Sequence, residues 1–219
     1  MKKLLIPLLF SLVAAWSCDF KNTYYVENVP DIVNVIDSRL INDQGVVYTI
    51  TDKATTNLPN LEDGKRYYIV FDILNQQFDI LLRNVIPVSI ITPAILPDET
   101  EGLGSDPIKL QFAQGNRSYI DLGIAYPVAT GSNYARQLKF YYTLENADSQ
   151  LNIHIFYDGN NENPTKMEEK DLKSESSVIS IPISQWTKIQ EVNISCDVLA
   201  TDYSTGKYTI VHRTYTVDK

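Results

Sequence analysis

Two histidines and two cysteines are the whole supply of imidazoles and thiols in these 219 residues, so the chemistry open to the chain is narrow from the start. His154 and His212 each sit in a run that alternates apolar and polar residues, Asn152-Ile153-His154-Ile155 and Ile210-Val211-His212-Arg213. A Ser–His–Asp site needs a nucleophile held against the base, and no strand–turn–helix elbow accompanies either histidine. The spacing predicts two strand histidines satisfied by hydrogen bonds, and no catalytic residue is assigned. A histidine zinc site would need both rings plus carboxylates, and neither ring has motif spacing. Paired carboxylates for glycoside hydrolysis stay open, because their approach is a property of the fold. Nothing, however, singles out a pair among 27 acidic residues. Gly102-Leu103-Gly104 lacks the following helix that would bind a phosphate. One loop, Asp158-Gly159-Asn160-Asn161-Glu162-Asn163-Pro164, offers oxygen ligands at alternate positions. Asp158, Asn160 and Glu162 form a weak calcium candidate, since the late bidentate glutamate of an EF-hand is missing and ordinary turns use the same residues. No cofactor is implied.

The thiols point to an address. Lys2 and Lys3 precede an apolar run from Leu4 to Trp16 that ends at Ser17-Cys18. A bilayer-spanning helix needs about 20 apolar residues, so this run reads as a secretory signal. A cysteine placed directly after a small residue there looks like a bacterial lipobox, with Cys18 acylated as the new N-terminus. Ala15-Trp16-Ser17 also fits an ordinary signal peptidase, which would cut the same bond. The expectation is a lipid-anchored envelope protein, placed at the outer membrane. Cys196 then has no intramolecular partner and reads as a small buried hydrophobe.

Cleavage after residue 17 leaves 202 residues and moves the formal charge from −8 to −10, through loss of Lys2 and Lys3. Nucleic acid and anionic lipid surfaces reward clusters of Lys and Arg, so an acidic exported chain excludes a nucleic-acid partner. Fourteen tyrosines against seven phenylalanines suit sugar platforms and protein interfaces. The pairs Tyr24-Tyr25, Tyr67-Tyr68 and Tyr141-Tyr142 would point to opposite faces of their strands, and tyrosine is also simply a good strand former.

The hydrophobic period is two nearly everywhere. Tyr67–Leu74 and Phe78–Val85 flank Asn75-Gln76-Gln77 as a hairpin, and Ile32–Ile41 pairs with Val46–Thr51 around Asn42-Asp43-Gln44-Gly45. Later strands are expected at 108–113, 119–126, 137–144, 151–157, 178–183, 189–199 and 207–215. No apolar stripe at helical spacing lasts three turns, though 165–174 could form a turn or two of helix. Three prolines and two glycines between Thr92 and Pro107 separate about five strands from seven. The fold class is all-β: a small OB-like Greek-key barrel followed by an immunoglobulin-like β-sandwich. The expected organisation is a signal at 1–17, a tether at 18–29, the barrel at 30–91, a linker at 92–107 and the sandwich at 108–219.

Three features in this order resemble the NigD-like lipoproteins of the Bacteroides group over essentially the whole chain. They are the signal ending at Cys18, Leu61-Glu62-Asp63-Gly64-Lys65-Arg66 leading into Tyr67–Leu74, and Gly104-Ser105-Asp106-Pro107-Ile108-Lys109-Leu110. The last is the most specific, since the family reads much like G-x-DPI-[KR] there. The resemblance implies the same OB-like domain and β-sandwich. It also implies a link to bacteriocin immunity, the role suggested for the operon that names the family. Many members carry acidic residues after the cysteine, whereas this chain has Asp19-Phe20-Lys21-Asn22. The reading that follows is a non-catalytic, lipid-anchored binding module whose partner is an envelope protein, a peptide or a glycan. A glycan-binding accessory lipoprotein is the first alternative, and a hydrolase the second.

Overall fold

A computed structural model describes residues 25–53, 58–129, 136–159, 172–202 and 207–217. Every regular element among them is a strand. The first five are β1 (Val26–Ile36), β2 (Arg39–Asn42), β3 (Val47–Lys53), β4 (Arg66–Ile73) and β5 (Asp79–Ile90). They pair in the cycle β1–β2–β3–β5–β4–β1, with β3–β5 parallel and the rest antiparallel, so the sheet closes on itself without an edge. Alternation along β4 turns Tyr67, Ile69, Phe71 and Ile73 inward, where they meet Val33, Val35, Leu40, Ile80 and Leu82. This is the OB-like barrel.

The run 32–41, expected as one strand, is two. Asp37 and Ser38 take positive φ (49° and 62°) and fold β1 back on β2 in a two-residue turn, which local side chains of Asp type tolerate best. The second turn forms as expected. Asn42 Oδ1 accepts from the backbone N–H groups of Gln44 and Val46, and Gly45 supplies φ of 84°. β1 begins at Val26, inside the segment expected as tether, and Val26 already faces Ile73 of β4.

The remaining strands are β6 (Ala94–Ile95), β7 (Lys109–Gly115), β8 (Tyr119–Ala129), β9 (Gln137–Glu145), β10 (Gln150–Asp158), β11 (Leu172–Pro182), β12 (Glu191–Asp202) and β13 (Lys207–Val217). They form a sandwich with sheet orders β5–β11–β8–β7 and β6–β9–β10–β12–β13. Ile120, Leu122 and Ile124 of β8 interlock with Leu151, Ile153 and Ile155 of β10 and Val192, Ile194 and Cys196 of β12. The layering is that of the expected sandwich, and β10 and β12 run parallel within it. Residues 172–174, taken as the end of a helical turn, open β11 instead, while 165–171 lie outside the described residues.

Two features tie barrel to sandwich. β5 outruns the barrel, and Val88–Ile90 pair with Val178–Ser180 of β11. Inside the segment expected as linker, Ala94 and Ile95 join the other sheet beside Tyr141 and Tyr142. A proline-rich stretch can do this because a two-residue edge strand needs donors on one side only.

Candidate functional site

The tail of that segment explains its own sequence. Gly104 adopts φ of 109°, and a Cβ there would stand 2.6 Å from the Tyr157 carbonyl oxygen. The backbone N–H of Asp106 donates to the Tyr157 carbonyl at 3.0 Å, and the Asp106 carboxylate accepts from the Gly159 N–H at 2.7 Å. Ile108 N–H donates to the Asp197 carbonyl at 2.8 Å and forms a parallel bridge with Val198. Gly104-x-Asp106-Pro107-Ile108 is therefore a splice that fills the gap left where β10 parts from β12.

Beside the splice the two sheets open into a cleft of about 520 Å³. Buried Ile108, Ala125 and Val198 make its floor, and Leu110, Tyr126, Leu199 and Tyr215 its walls. Three exposed cations from both sheets stand at its rim: Lys109 on β7, Lys173 on β11 and Arg213 on β13. No Asp or Glu lines it among the described residues. The volume and the mixture of apolar floor with a few polar groups match small-molecule sites in general.

The histidines lie elsewhere, together, on the outer face of the five-stranded sheet. His154 registers with Ser195 and Tyr141, and its Nε2 shares a hydrogen bond with Thr143 Oγ1 at 3.1 Å. Burial, aided by nearby His212, lowers the His154 pKa. His212 Nδ1 contacts Asp197 Oδ1 at 2.9 Å. Around them runs a ladder of amides and hydroxyls. Thr216 donates to Asn193 at 2.9 Å, Asn193 donates to Asn152 at 3.2 Å, and Ser195 pairs with Thr214 at 3.0 Å. Each histidine completes a polar row on this face. Among the described residues no group of three or more His, Cys, Asp or Glu side chains is placed to hold a metal ion. Asp158 ends β10, whereas Asn160 and Glu162 of the calcium candidate lie outside the described residues, as does Cys18. Cys196 is 1 % exposed, and burial pushes its thiol up to about 11. Tyrosines among the described residues are spread over different faces. Tyr67 and Tyr157 are buried, Tyr142 packs with Trp186 against the core, and Tyr141 meets Phe156 on the outer face.

A densely charged cluster was missed from sequence, although Arg66 closes a segment singled out above. Arg66 is 2 % exposed where barrel meets sandwich. It donates to Asp121 at 2.9 and 3.1 Å, to Asp43 at 2.7 Å through Nη1, to Asn34 at 3.2 Å and to Ser180 at 2.8 Å. Its guanidinium lies 4.3 Å from the Tyr119 ring centroid. Asp121 is fully buried and also accepts from Ser180. Burial pushes its carboxyl up, against the pull of Ser180 and Arg66. The polar groups of this clamp are hydrogen-bonded to one another and join residues of the barrel to residues of the sandwich. A buried arginine is invisible to pattern reading because its partners come from positions 43, 121 and 180.

No family model and no curated protein matches the chain. Solved structures do match it in shape. A NigD-like immunity protein from Bacteroides caccae superposes with a TM-score of 0.55 at 14% identity, over 88% of this chain and 98% of that one. The fold is that of the NigD-like proteins. A candidate lipoprotein from Bacteroides fragilis gives 0.58 at 16% identity, over 88% and 98%. A protein of unknown function, DUF1344, from Bacteroides vulgatus gives 0.58 at 12% identity, over 87% and 90%. At such identities the likeness is one of fold, and it agrees with the barrel and sandwich expected from the strand pattern.

Proposed function

We propose that the protein is a lipid-anchored module of the cell envelope that acts by binding, tethered through Cys18 and engaging its partner at the cleft beside the Gly104–Ile108 splice. The observation that carries this reading is the contrast between the two sites. The two histidines are engaged in hydrogen bonds along the outer-face ladder. The cleft, by comparison, presents apolar walls and unspent positive charge to solvent. The export signal and the description of the Bacteroides fragilis structure as a candidate lipoprotein support the anchor. An immunity role, named for the Bacteroides caccae structure, would be one form of such binding. Confinement at a membrane raises the effective concentration of a neighbouring partner, so the anchor contributes directly to the activity.

The test is complementation of a deletion strain with variants checked for folded protein. His154→Ala and His212→Ala should restore the phenotype, and Cys18→Ala should restore it poorly. Folded histidine variants that fail would point to chemistry and overturn the reading. A second reading, glycan binding, is favoured by the outer ladder with Tyr141 and Phe156 at its side, since flat rows of amides and hydroxyls suit sugar hydroxyls. Glycan binding lost in Tyr141→Ala would support it.

A further inference from the structure

We propose that the cleft is a binding site for a single-chain amphiphilic carboxylate, an aliphatic body seated on Ala125 and Val198 with its head between Lys109 and Arg213. The inference rests on the binding reading above and names the ligand class of the same site. Charge is the first argument. In a chain of net charge −8, three cations converge on one opening from strands of both sheets, with no acidic residue among the described lining. Lys173 is partly spent on Glu175, 3.1 Å away, which leaves Lys109 and Arg213 to receive a ligand. A carboxylate matches the fork of an arginine together with one lysine, and the long basic stems can lie along the apolar wall while their heads stay wet.

The floor supplies the second argument, because it selects the body of the ligand. Ala125 is already paired on both sides, by Lys109 and Ser176, and Val198 by Ile108 and Val211. The floor therefore offers side chains, and unpaired backbone among the described lining residues is found along the outer edge of β7 and on β12 beyond Val198. A peptide laid on this floor would bring amide groups without partners there, at a desolvation cost that an alkyl chain does not incur. An acyl chain with one charged end matches both halves of the site.

The experiment is isothermal titration of laurate, below its micellar range, into the full mature chain carrying Cys18→Ala so that no detergent is needed. Saturable binding at one site is expected. Lys109→Gln/Arg213→Gln, both at exposed positions and checked by circular dichroism, should weaken it about tenfold and remove its dependence on salt. Decanoate should bind about tenfold more weakly than laurate, as expected for losing two largely buried methylenes. Equal binding of dodecyl maltoside, with no effect of the double variant, would overturn the role of the rim. Tighter binding of a short peptide with a free C-terminal leucine would reassign the site to a peptide. No laurate binding by folded wild-type protein would refute the ligand class. The anchored-module reading would be untouched by that result, since complementation decides it.

Discussion

Removing Arg66 should reveal how firmly the barrel and the sandwich are joined. Arg66→Met keeps most of the side-chain volume but strips Asp121, which has no exposed surface, of its guanidinium partner, and leaves Asp43 and Ser180 with fewer partners. Breaking a buried ion pair from one side costs about 3–5 kcal/mol, because the charge left behind is uncompensated. At a urea slope of about 2–3 kcal/mol per molar, the unfolding midpoint should fall by about 1–2 M. Trp186 is the sole tryptophan after residue 17 and packs against the sandwich core, so its fluorescence follows the sandwich while far-ultraviolet ellipticity follows both units. Adding Asp121→Leu should recover at least half of the loss, since the orphaned carboxylate is then gone. Lys188→Met supplies the control. Lys188 lies 3.9 Å from Asp148, both side chains are largely exposed, and its loss should cost under about 0.5 kcal/mol. If Arg66→Met proves no more costly than Lys188→Met, the clamp is a contact without energetic consequence and the reasoning fails.

Four further outcomes are expected. Arg83, together with the backbone N–H of Asn28 and the hydroxyl of Tyr25, holds the Asp72 carboxyl well below the usual carboxylate range. A depressed folded pKa contributes stability above the unfolded value of about 3.9 that is lost as pH falls further, so the urea midpoint should drop more steeply below pH 4 in wild type than in Asp72→Asn. Gly104→Ala should cost about 2 kcal/mol or more, read as a lowered melting temperature, because its Cβ would meet Tyr157 backbone that cannot move aside. Cys196 should resist iodoacetamide at pH 8 in the folded protein and react at once in urea; rapid labelling without denaturant would show that strand β12 opens locally. Limited proteolysis should nick the exposed stretch Pro97–Gly102 first, giving fragments close to 19–95 and 100–219, whereas a first cut within 67–85 or 119–144 would contradict the two-unit division.

The all-β class was readable from the chain because strand burial has a period of two, and runs such as Tyr67–Leu74 or Leu151–Tyr157 display it directly. Their ends were less legible. Asp37-Ser38 split one apparent strand into β1 and β2, since a turn with two positive φ values depends on the strand it must fold back against. The same holds for Ala94-Ile95, which became β6 only because Tyr141 and Tyr142 offered a free edge. The strand placement of the histidines also followed from sequence, as alternation alone puts them on a strand face. Their mutual proximity did not, because β12 had to intervene between β10 and β13. What tertiary structure alone decided is where charge gathers. Asp43, Arg66, Asp121 and Ser180 come from three strands and a turn, and Lys109, Lys173 and Arg213 from three strands of two sheets. Local pattern reports burial against neighbours a few residues away. Clamp and cleft arise from residues about 20 to 110 positions apart, and only the closure of two sheets brings those together.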